Sequence, residues 1–236
     1  PLPESPVSSA FLYYGHLRSY HSRPERRTNP GAPNPDFTRI FKKRFPEPGQ
    51  WTIVIADNGS TDQTPQLAEK LGKNLPEVRL VRVPERGVGL ALKTSWSQSQ
   101  ADIVGYMDLD LATDLQHFIQ AYNALATEDF DLVYGTRLHK KSRVIGRTLK
   151  REITSRVFNF IANLGTRFSD GMCGFKWLKQ EHVAALLQGG AVSNGWFFST
   201  ELLAVAEWKG LKICELPVQW TDDTSESKVN IRRLAV

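Results

Sequence analysis

The chain has 236 residues, of which 41% are hydrophobic and 23% charged, and this composition is typical of a globular domain. No apolar run reaches the roughly 18–20 residues that a membrane-spanning helix needs, and the first residues lack the basic start of a signal peptide. The only two cysteines, Cys173 and Cys214, fit neither a zinc site nor a disulfide framework. These features favour a reducing, cytoplasmic setting. The chain begins with Pro rather than Met, which indicates a fragment, so an anchor outside it stays an open question.

The net charge of +5 is unevenly distributed. Residues 137–156 carry eight Lys and Arg against one Glu, and residues 1–50 carry eight against four acidic residues. A basic segment on an otherwise acidic chain indicates an anionic partner, such as a phosphate, a lipid headgroup or a nucleic acid. The alternative is a solvated helix face without a partner. Nucleic acid is disfavoured because aromatic residues do not alternate with the basic ones.

Residues 1–36 are rich in Pro, Arg and Ser and are predicted to form an irregular arm before a single domain over residues 37–236. From Trp51 onward, short β-branched runs alternate with helical stretches. The predicted strands are 51–57, 78–83, 102–108 and 131–137, and the predicted helices are 61–72, 88–100 and 114–126. This alternation predicts an α/β fold with βαβ crossovers and a mostly parallel sheet.

The second half of the chain is less regular. Helices are predicted over 149–164, 180–187 and 200–209, followed by a strand over 211–220. No internal repeat is visible.

Charged residues end the predicted strands, at Asp57, at Asp108 and Asp110, and at Arg137. Ligands of parallel α/β sheets bind at this edge. Two aspartates one residue apart, as in Asp108-Leu109-Asp110, can hold one Mg²⁺ or Mn²⁺ together with substrate phosphates. Because the triplet directly follows an apolar strand, the sequence indicates a metal and diphosphate site at the end of the third predicted strand, with an ordinary surface turn as the alternative.

Two further positions are less specific. The Asp57 carboxylate could accept hydrogen bonds from a ribose or a base, or Asp57 could simply form the turn with Asn58-Gly59. The segment Arg86-Gly87-Val88-Gly89 leads into a helix whose N-terminus could face a phosphate, although an ordinary loop explains it equally well.

The ordered segments IADNGSTDQT, ERGVGLALKTSW, YMDLDLATDL, YGTR, KREITSR, SDGMCGFKWL, NGWFFSTELL, ELPVQW and SESKV resemble family 2 glycosyltransferases. The type that they resemble is the polyprenyl-phosphate (dolichyl-phosphate) hexose synthase. The resemblance covers about residues 41–229. It implies the GT-A fold and inverting, metal-assisted transfer of a hexose from a UDP- or GDP-sugar to a polyprenyl phosphate. It also implies a cytoplasmic protein, peripheral at the inner face of a membrane.

The same resemblance implies roles for individual residues. Asp57, Arg86, Lys93, Asp108 and Asp110 would bind the donor, and Asp108 and Asp110 would bind the metal. Asp170 and Asp110 would be catalytic. The implied acceptor and phosphate residues are Arg137, Arg151, Trp196, Glu201 and Lys228. Plain core packing is the alternative for the aromatic run from Trp196 to Phe198.

Three departures from the family pattern stand out. The usual first strand, of the type V-I-P-x-Y-N-E, is not found, and Ala10–Tyr14 (AFLYY) is the one strand-like stretch of the arm. Without such a strand the centre of the sheet would have a gap with unpaired backbone. Either AFLYY fills this position, or the N-terminus is altered and donor binding is impaired. Met172 stands where Gln is usual and Ser199 where Asp is usual, which removes polar groups near the implied acceptor site.

Two alternatives to this enzyme stay open at this point. A sugar-phosphate nucleotidyltransferase also places carboxylates at strand ends, although its N-terminal glycine-rich nucleotide loop is missing here. A non-catalytic domain of the same fold could bind nucleotide sugars or anionic lipids.

Overall fold

A computed structural model describes residues 9–14, 43, 46, 49–58, 66, 69, 72–73, 75–83, 85–108, 112–162 and 165–221. Nine strands lie within these residues: β1 Ser9–Tyr14, β2 Trp51–Asn58, β3 Val78–Val83, β4 Ile103–Asp108, β5 Leu132–Thr136, β6 Arg143–Ile145, β7 Phe175–Lys179, β8 Ile213–Pro217 and β9 Gln219–Thr221. Five α-helices accompany them: α1 Val88–Ser97, α2 Gln116–Thr127, α3 Leu149–Ala162, α4 Val183–Gln188 and α5 Phe198–Trp208. A short 3₁₀ turn, Gln180–His182, precedes α4.

Seven strands form one sheet in the order β3-β2-β1-β4-β7-β5-β8, and β6 pairs with β9 outside it. All neighbours in the large sheet are parallel except β7, which runs antiparallel to β4 and β5. The predicted α/β fold with a mostly parallel sheet is confirmed.

Strand β1 lies at the centre of the sheet, hydrogen-bonded in parallel to β2 on one side and β4 on the other. Its residues include the AFLYY stretch, the one strand-like part of the predicted arm. The chain therefore closes the gap that the absent V-I-P-x-Y-N-E pattern would leave, using a different sequence in the same position. How the remainder of residues 1–36 is arranged lies outside the described residues.

Two hydrophobic cores cover the faces of the sheet. On one face α2 packs against the sheet, and the rings of Phe118 and Trp177 lie 4.9 Å apart. On the other face Trp96 of α1 lies between Tyr106 of β4 and Phe198 of α5, at 6.3 and 6.0 Å between ring centroids. Burying a side chain the size of Phe198 contributes about 1.5–3 kcal/mol, so these contacts fix both helix layers on the sheet.

The spacing of the buried residues along each element shows which of its faces pack in the core. Helix α1 buries Val88, Ala91, Leu92, Ser95 and Trp96, the i, i+3, i+4 spacing of a helix with one face in the core. Strand β4 is buried on both faces, as expected for a central parallel strand, and only its last residue, Asp108, is partly exposed. Helix α3 differs, because Asn159 is its single buried residue among those described.

Most predicted elements agree with these boundaries to within one to three residues. The predicted strand 211–220 is two strands, β8 and β9, divided after Pro217. The predicted helix 61–72 falls mostly outside the described residues. Strands β6 and β7 were not predicted. Among the described residues, no helix has both the length and the hydropathy that crossing a bilayer requires.

Candidate functional site

Two predicted donor residues, Asp57 and Asp108, lie near the carboxyl ends of β2 and β4, the two strands that flank β1. Tyr14, the last residue of β1, is level with Ala56 on one side and with Asp108 on the other. Asp57, which follows Ala56, and Asp108 therefore flank the carboxyl end of β1. Asp57 is buried, whereas Asp108 is partly exposed. This edge of the sheet is where ligands of parallel α/β folds bind.

The antiparallel strand β7 brings a second set of residues to the same edge. Because β7 runs against β4 and β5, its first residues lie beside their last ones, and the backbone N–H of Asp108 donates to the carbonyl of Gly174 at 3.1 Å. The Asp108 carboxylate rests directly on Gly174. A β-carbon added to Gly174 would lie 2.0 Å from Asp108 Oδ2, so this contact requires glycine.

Arg137 and Asp170 form a buried ion pair next to this contact. Arg137 Nε and Nη2 donate to the two oxygens of Asp170 at 2.7 and 2.8 Å, and the Arg137 backbone N–H donates at 3.1 Å. The guanidinium also lies over the ring of Trp220, 5.0 Å from its centroid. The fork-on-fork geometry fixes the orientation of the guanidinium.

The pair stays charged at neutral pH. Burial raises the pKa of Asp170, but the Arg137 charge and hydrogen bonds outweigh burial, and the pKa falls below its ordinary value. Burial lowers the pKa of Arg137, and the Asp170 carboxylate reverses this, so the pKa rises. Asp108 is close enough to add to the rise in the pKa of Arg137.

Asn159 attaches helix α3 to the segment that carries Asp170. Its Oδ1 accepts a hydrogen bond from the backbone N–H of Gly171 at 2.8 Å, and its Nδ2 lies 3.5 Å from Asp170 Oδ1. On the other side of this segment, the Tyr134 hydroxyl accepts the backbone N–H of Ser169 at 3.0 Å. The backbone on both sides of Asp170 is thus held by buried polar groups.

A buried lysine that was not predicted lies beneath the same segment. Lys176 is completely buried, and its Nζ donates to the carbonyls of Gly171 and Cys173 at 3.1 and 2.7 Å and to Ser199 Oγ at 2.6 Å. Ser199 Oγ in turn donates to the Gly171 carbonyl at 2.9 Å and contacts the Tyr106 hydroxyl at 2.7 Å. Burial lowers the pKa of Lys176 to about 8.

Ser199 therefore supports segment 170–174 from below, at the position where the resembling family has Asp. The residue is 3% exposed, so its side chain acts on the site through the backbone of Gly171 and through Lys176. Met172 is partly buried, and its sulfur accepts a weak contact from Thr200 Oγ1 at 3.7 Å. In the sequence, the one sign of this network was Ser199, which stands where the resembling family has Asp.

The predicted residues Lys93 and Glu201 hold the segment 191–197 against the body of the protein. Lys93 Nζ donates to the Val192 carbonyl and, at 2.7 Å, to Asn194 Oδ1. Glu201 accepts the backbone N–H groups of Val192 and Ser193 at 3.0 and 2.8 Å. Both side chains are used in these contacts, so they shape segment 191–197.

Two glycines at the start of α1, Gly87 and Gly89, allow segment 191–197 to pack closely against this helix. A β-carbon on Gly87 would lie 2.2 Å from the Asn194 carbonyl oxygen, and one on Gly89 would lie 2.2 Å from that of Ser193. The Asn194 carbonyl also accepts the backbone N–H of Leu90 at 3.2 Å. The Asn194 carbonyl thus contacts the N-terminus of α1, which the sequence identified as a possible phosphate site. The alternative interpretation of this segment, an ordinary loop, fits the contact better.

The other predicted residues are more dispersed. Trp196 and Phe197 are 46% and 43% exposed and Phe198 is buried, so core packing explains only the last of the three. Arg86 is exposed just before α1, and Arg151 is partly buried on α3. Asp110 and Lys228 lie outside the described residues.

A divalent metal fits the part of this site that is described. The Asp108 carboxylate projects at the ligand edge, and Gly174 leaves room for it. No group of three or more potential ligand side chains occurs among the described residues. Mg²⁺ and Mn²⁺ bound to nucleotides need only one or two carboxylates, because phosphates and water complete the shell.

Comparison with known proteins agrees with this architecture. Residues 37–186 match the family described as glycosyl transferase family 2. Glycosyltransferase AglD of Haloferax volcanii is 32% identical over 184 residues, which is 77% of this chain and 29% of that protein. The dolichyl-phosphate beta-glucosyltransferase of Saccharomyces cerevisiae is 28% identical over 191 residues, 72% of this chain and 57% of that protein. The chain thus spans from under a third to somewhat over half of these relatives.

Solved structures share the fold at low sequence identity. Glucosyl-3-phosphoglycerate synthase from Mycobacterium tuberculosis, in complex with UDP, has a TM-score of 0.59 at 18% identity, with 97% of this chain and 75% of that chain covered. The mannosyltransferase PcManGT from Pyrobaculum calidifontis, in complex with GDP-Man and Mn²⁺, has a TM-score of 0.52 at 16% identity, covering 99% of this chain and 63% of that chain. The central sheet with its two helix layers, together with the family match over most of the chain, leads to one conclusion: this chain belongs to glycosyl transferase family 2 and has the GT-A fold.

Proposed function

We propose that this chain transfers a hexose from a UDP- or GDP-sugar to a polyprenyl or dolichyl phosphate, with inversion at the anomeric carbon. The observation that carries the proposal is that Asp108, at the ligand edge of the sheet, lies close enough to the buried Arg137–Asp170 pair to raise the pKa of Arg137. Support comes from the relatives, one of which is named a dolichyl-phosphate glucosyltransferase, and from fold neighbours solved with UDP or with GDP-Man and Mn²⁺.

The donor would lie between the ends of β2 and β4. Asp57 would accept hydrogen bonds from the nucleoside, and Asp108, with Asp110, would hold Mg²⁺ or Mn²⁺ beside the diphosphate. When bound, the metal supplies positive charge that offsets the charge developing on the leaving diphosphate. Arg86 and Lys93 stay predicted donor residues, with Lys93 acting through segment 191–197.

Arg137 would bind a phosphate of the donor or the acceptor. Its guanidinium is held by Asp170 and by the ring of Trp220, so little conformational freedom is lost when an anion binds. In this proposal Asp170 is a positioning residue that fixes Arg137, because both of its oxygens already accept hydrogen bonds from the guanidinium. An acceptor phosphate is anionic near neutral pH, so its attack needs little help from a general base.

The acceptor would bind near α3, which carries Arg151, and near segment 191–197, which carries Trp196. Trp196 exposes an aromatic surface there, while Arg151 and Lys228 are predicted to add positive charge near the phosphate. Glu201 acts by holding the backbone of Val192 and Ser193. With a lipid-linked acceptor, the protein would act as a peripheral protein at a membrane surface, and the family resemblance implies the cytoplasmic face.

The direct test is transfer in vitro. The protein is incubated with UDP-glucose or GDP-mannose, Mg²⁺ or Mn²⁺, and a short polyprenyl phosphate, and the organic phase is assayed for a lipid-linked sugar. We expect a product with one of these donors that disappears on removal of the metal with a chelator. If no donor gives product and calorimetry shows no metal-dependent nucleotide binding, the chain is a non-catalytic domain of this fold.

Single substitutions test the metal assignment. Asp108→Asn and Asp110→Asn should each lower the transfer rate by about 10²-fold or more, because each removes a carboxylate that offsets metal charge. Glu181→Gln is the matched control: the side chain is exposed and follows β7 at the opposite edge of the sheet, so the rate should not change. A full rate in either aspartate variant would refute the role of that residue.

A further inference from the structure

Helix α3 exposes a continuous apolar face. Its exposed large side chains are Leu149, Ile153, Val157, Phe160 and Ile161, with exposed fractions between 53% and 76%. They follow the spacing i, i+4, i+8, i+11 and i+12, which places them on one stripe of the helix. Half of the ten exposed large hydrophobic residues among those described lie on this single helix. A contiguous exposed stripe of this kind marks an interaction surface.

The surroundings of this apolar face are positively charged. Lys140, Lys141, Arg143, Lys150 and Arg156 are exposed on or just before α3. The one acidic residue of segment 137–156, Glu152, accepts from Arg156 Nε at 2.6 Å and lies 3.2 Å from Arg147 Nε. Two arginines therefore neutralise it. An apolar stripe with a positively charged border matches an anionic membrane surface, where acyl chains meet negatively charged headgroups.

The opposite face of α3 reaches the candidate site. Asn159, the one buried residue of the helix, accepts the backbone N–H of Gly171 and lies 3.5 Å from Asp170. Its Nδ2 also donates to the Ser155 carbonyl at 2.9 Å, which fixes the side-chain orientation. Whatever sets the position of α3 thus acts directly on the segment that holds Asp170 and, through it, Arg137.

We propose that α3 docks its apolar face into the surface of an anionic phospholipid bilayer, and that Asn159 transmits this docking to the site as a positioning residue. The inference rests on the proposed function in one respect, because a lipid-linked acceptor requires the site to face a membrane. In water, α3 is held mainly by polar contacts. On the membrane its apolar face is buried, the helix is fixed, and the Asp170 segment is ordered for transfer.

Vesicle binding tests the docking surface without donor or acceptor. The full chain is sedimented with vesicles of phosphatidylcholine alone or with phosphatidylglycerol added. We expect binding to the anionic vesicles, weakened by salt, and about tenfold or more weaker in the double variant Ile153→Gln/Phe160→Gln. Trp208→Gln is the matched control, since Trp208 is 71% exposed on α5, and it should bind as the wild type does. Because no sugar transfer is measured, the result does not depend on the proposed reaction.

Two outcomes would overturn the docking surface. One is equal vesicle binding by the wild type and the double variant, with both folded by circular dichroism. The other is a wild-type dimer in solution that the double variant loses while vesicle binding stays absent, which would make the apolar face a contact between two copies of the chain.

Activity with a water-soluble short-chain acceptor phosphate tests the coupling. We expect empty anionic vesicles to raise kcat of the wild type several-fold with donor KM unchanged. Asn159→Ala should bind the vesicles normally yet show no such rise, and the double variant should keep the basal rate without the rise. If Asn159→Ala is activated by vesicles like the wild type, the coupling is wrong even where docking and transfer both hold.

Discussion

At the scale of single residues, the Arg137–Asp170 pair makes the clearest stability prediction. Arg137→Ala leaves the Asp170 carboxylate buried without its two guanidinium hydrogen bonds. Removing one partner of a buried pair costs about 3–5 kcal/mol, so the free energy of unfolding at pH 7 should fall by roughly that amount in urea titrations. Lys150→Ala, an exposed control on α3, should change it by less than about 0.5 kcal/mol.

The pH dependence provides a second check on this pair. The pKa of Asp170 in the folded protein lies below its ordinary value. The pair therefore stabilises the protein fully at any pH above the ordinary pKa. This stabilisation is lost as the pH falls through the lower pKa of the folded state. The difference in unfolding free energy between wild type and Arg137→Ala should therefore shrink in acid. A difference that is constant down to low pH would show that the pair is not the cause.

Lys176 makes a prediction at alkaline pH. Its pKa is about 8 in the folded protein against an ordinary 10.5, so between these values the unfolded chain binds the extra proton. The free energy of unfolding of the wild type should rise with pH across this window relative to that of Lys176→Met, as measured by urea titration at several pH values. Burial raises the pKa of Tyr106, which is present in both proteins and affects both profiles alike. The raised pKa of Cys173 is coupled to the Lys176 charge, so Cys173 is replaced by Ala in both proteins. Parallel pH profiles would contradict a buried, titrating lysine.

Arg137 and Lys176 also show what the sequence could and could not predict. Arg137 follows a predicted strand, and residues at strand ends converge wherever a sheet is parallel, so its place at the ligand edge follows from the pattern. Lys176 lies in the segment Phe-Lys-Trp-Leu-Lys, where nothing distinguishes it from an exposed lysine. Its burial depends on segment 170–174 and on Ser199, 23 residues further along the chain.

At the scale of elements, segment 191–197 packs on the start of α1 so closely that glycine is required. Gly87→Ala would place a β-carbon 2.2 Å from the Asn194 carbonyl oxygen, so the backbone of one element must shift. We expect a loss of about 1–3 kcal/mol in unfolding free energy, the usual cost of overpacking. Gly195→Ala in the same segment meets nothing within 4 Å and should leave the stability nearly unchanged. Equal effects of the two substitutions in thermal unfolding would argue against this packing.

Strand β7 shows why part of the secondary structure could not be predicted from the sequence. Its five residues, Phe175–Lys179, follow a run of small and turn-forming residues, and both of its neighbours in the sheet, β4 and β5, run antiparallel to it. The βαβ pattern identifies parallel strands through their crossover helices, and it has no equivalent signal for one short antiparallel strand. Yet β7 separates β4 from β5 and carries Gly174 to Asp108. The site is therefore assembled by the one strand of the large sheet that breaks the repeating pattern.

At the scale of the whole molecule, the sheet depends on a strand far from the rest of the domain in sequence. Ser9–Tyr14 pairs along its whole length with β2, which begins at Trp51, and with β4, which begins at Ile103. The family resemblance predicted that some strand belongs at this position. The local sequence could not show that AFLYY takes it, because a short apolar run after a Pro- and Ser-rich start is equally compatible with an isolated strand-like stretch.

Truncation tests this dependence. A chain beginning at residue 15 would leave the backbone groups of β2 and β4 that face β1 without their partners at the centre of the sheet. We expect it to lose cooperative thermal unfolding, to expose apolar surface to a hydrophobic dye, and to lose transfer activity. A chain beginning at Ser9 keeps all six paired residues and should unfold cooperatively, as the full chain does. If the chain beginning at residue 15 unfolds with the same midpoint and cooperativity as the full chain, then β1 does not complete the sheet, and the donor edge between Asp57 and Asp108 must be formed without it.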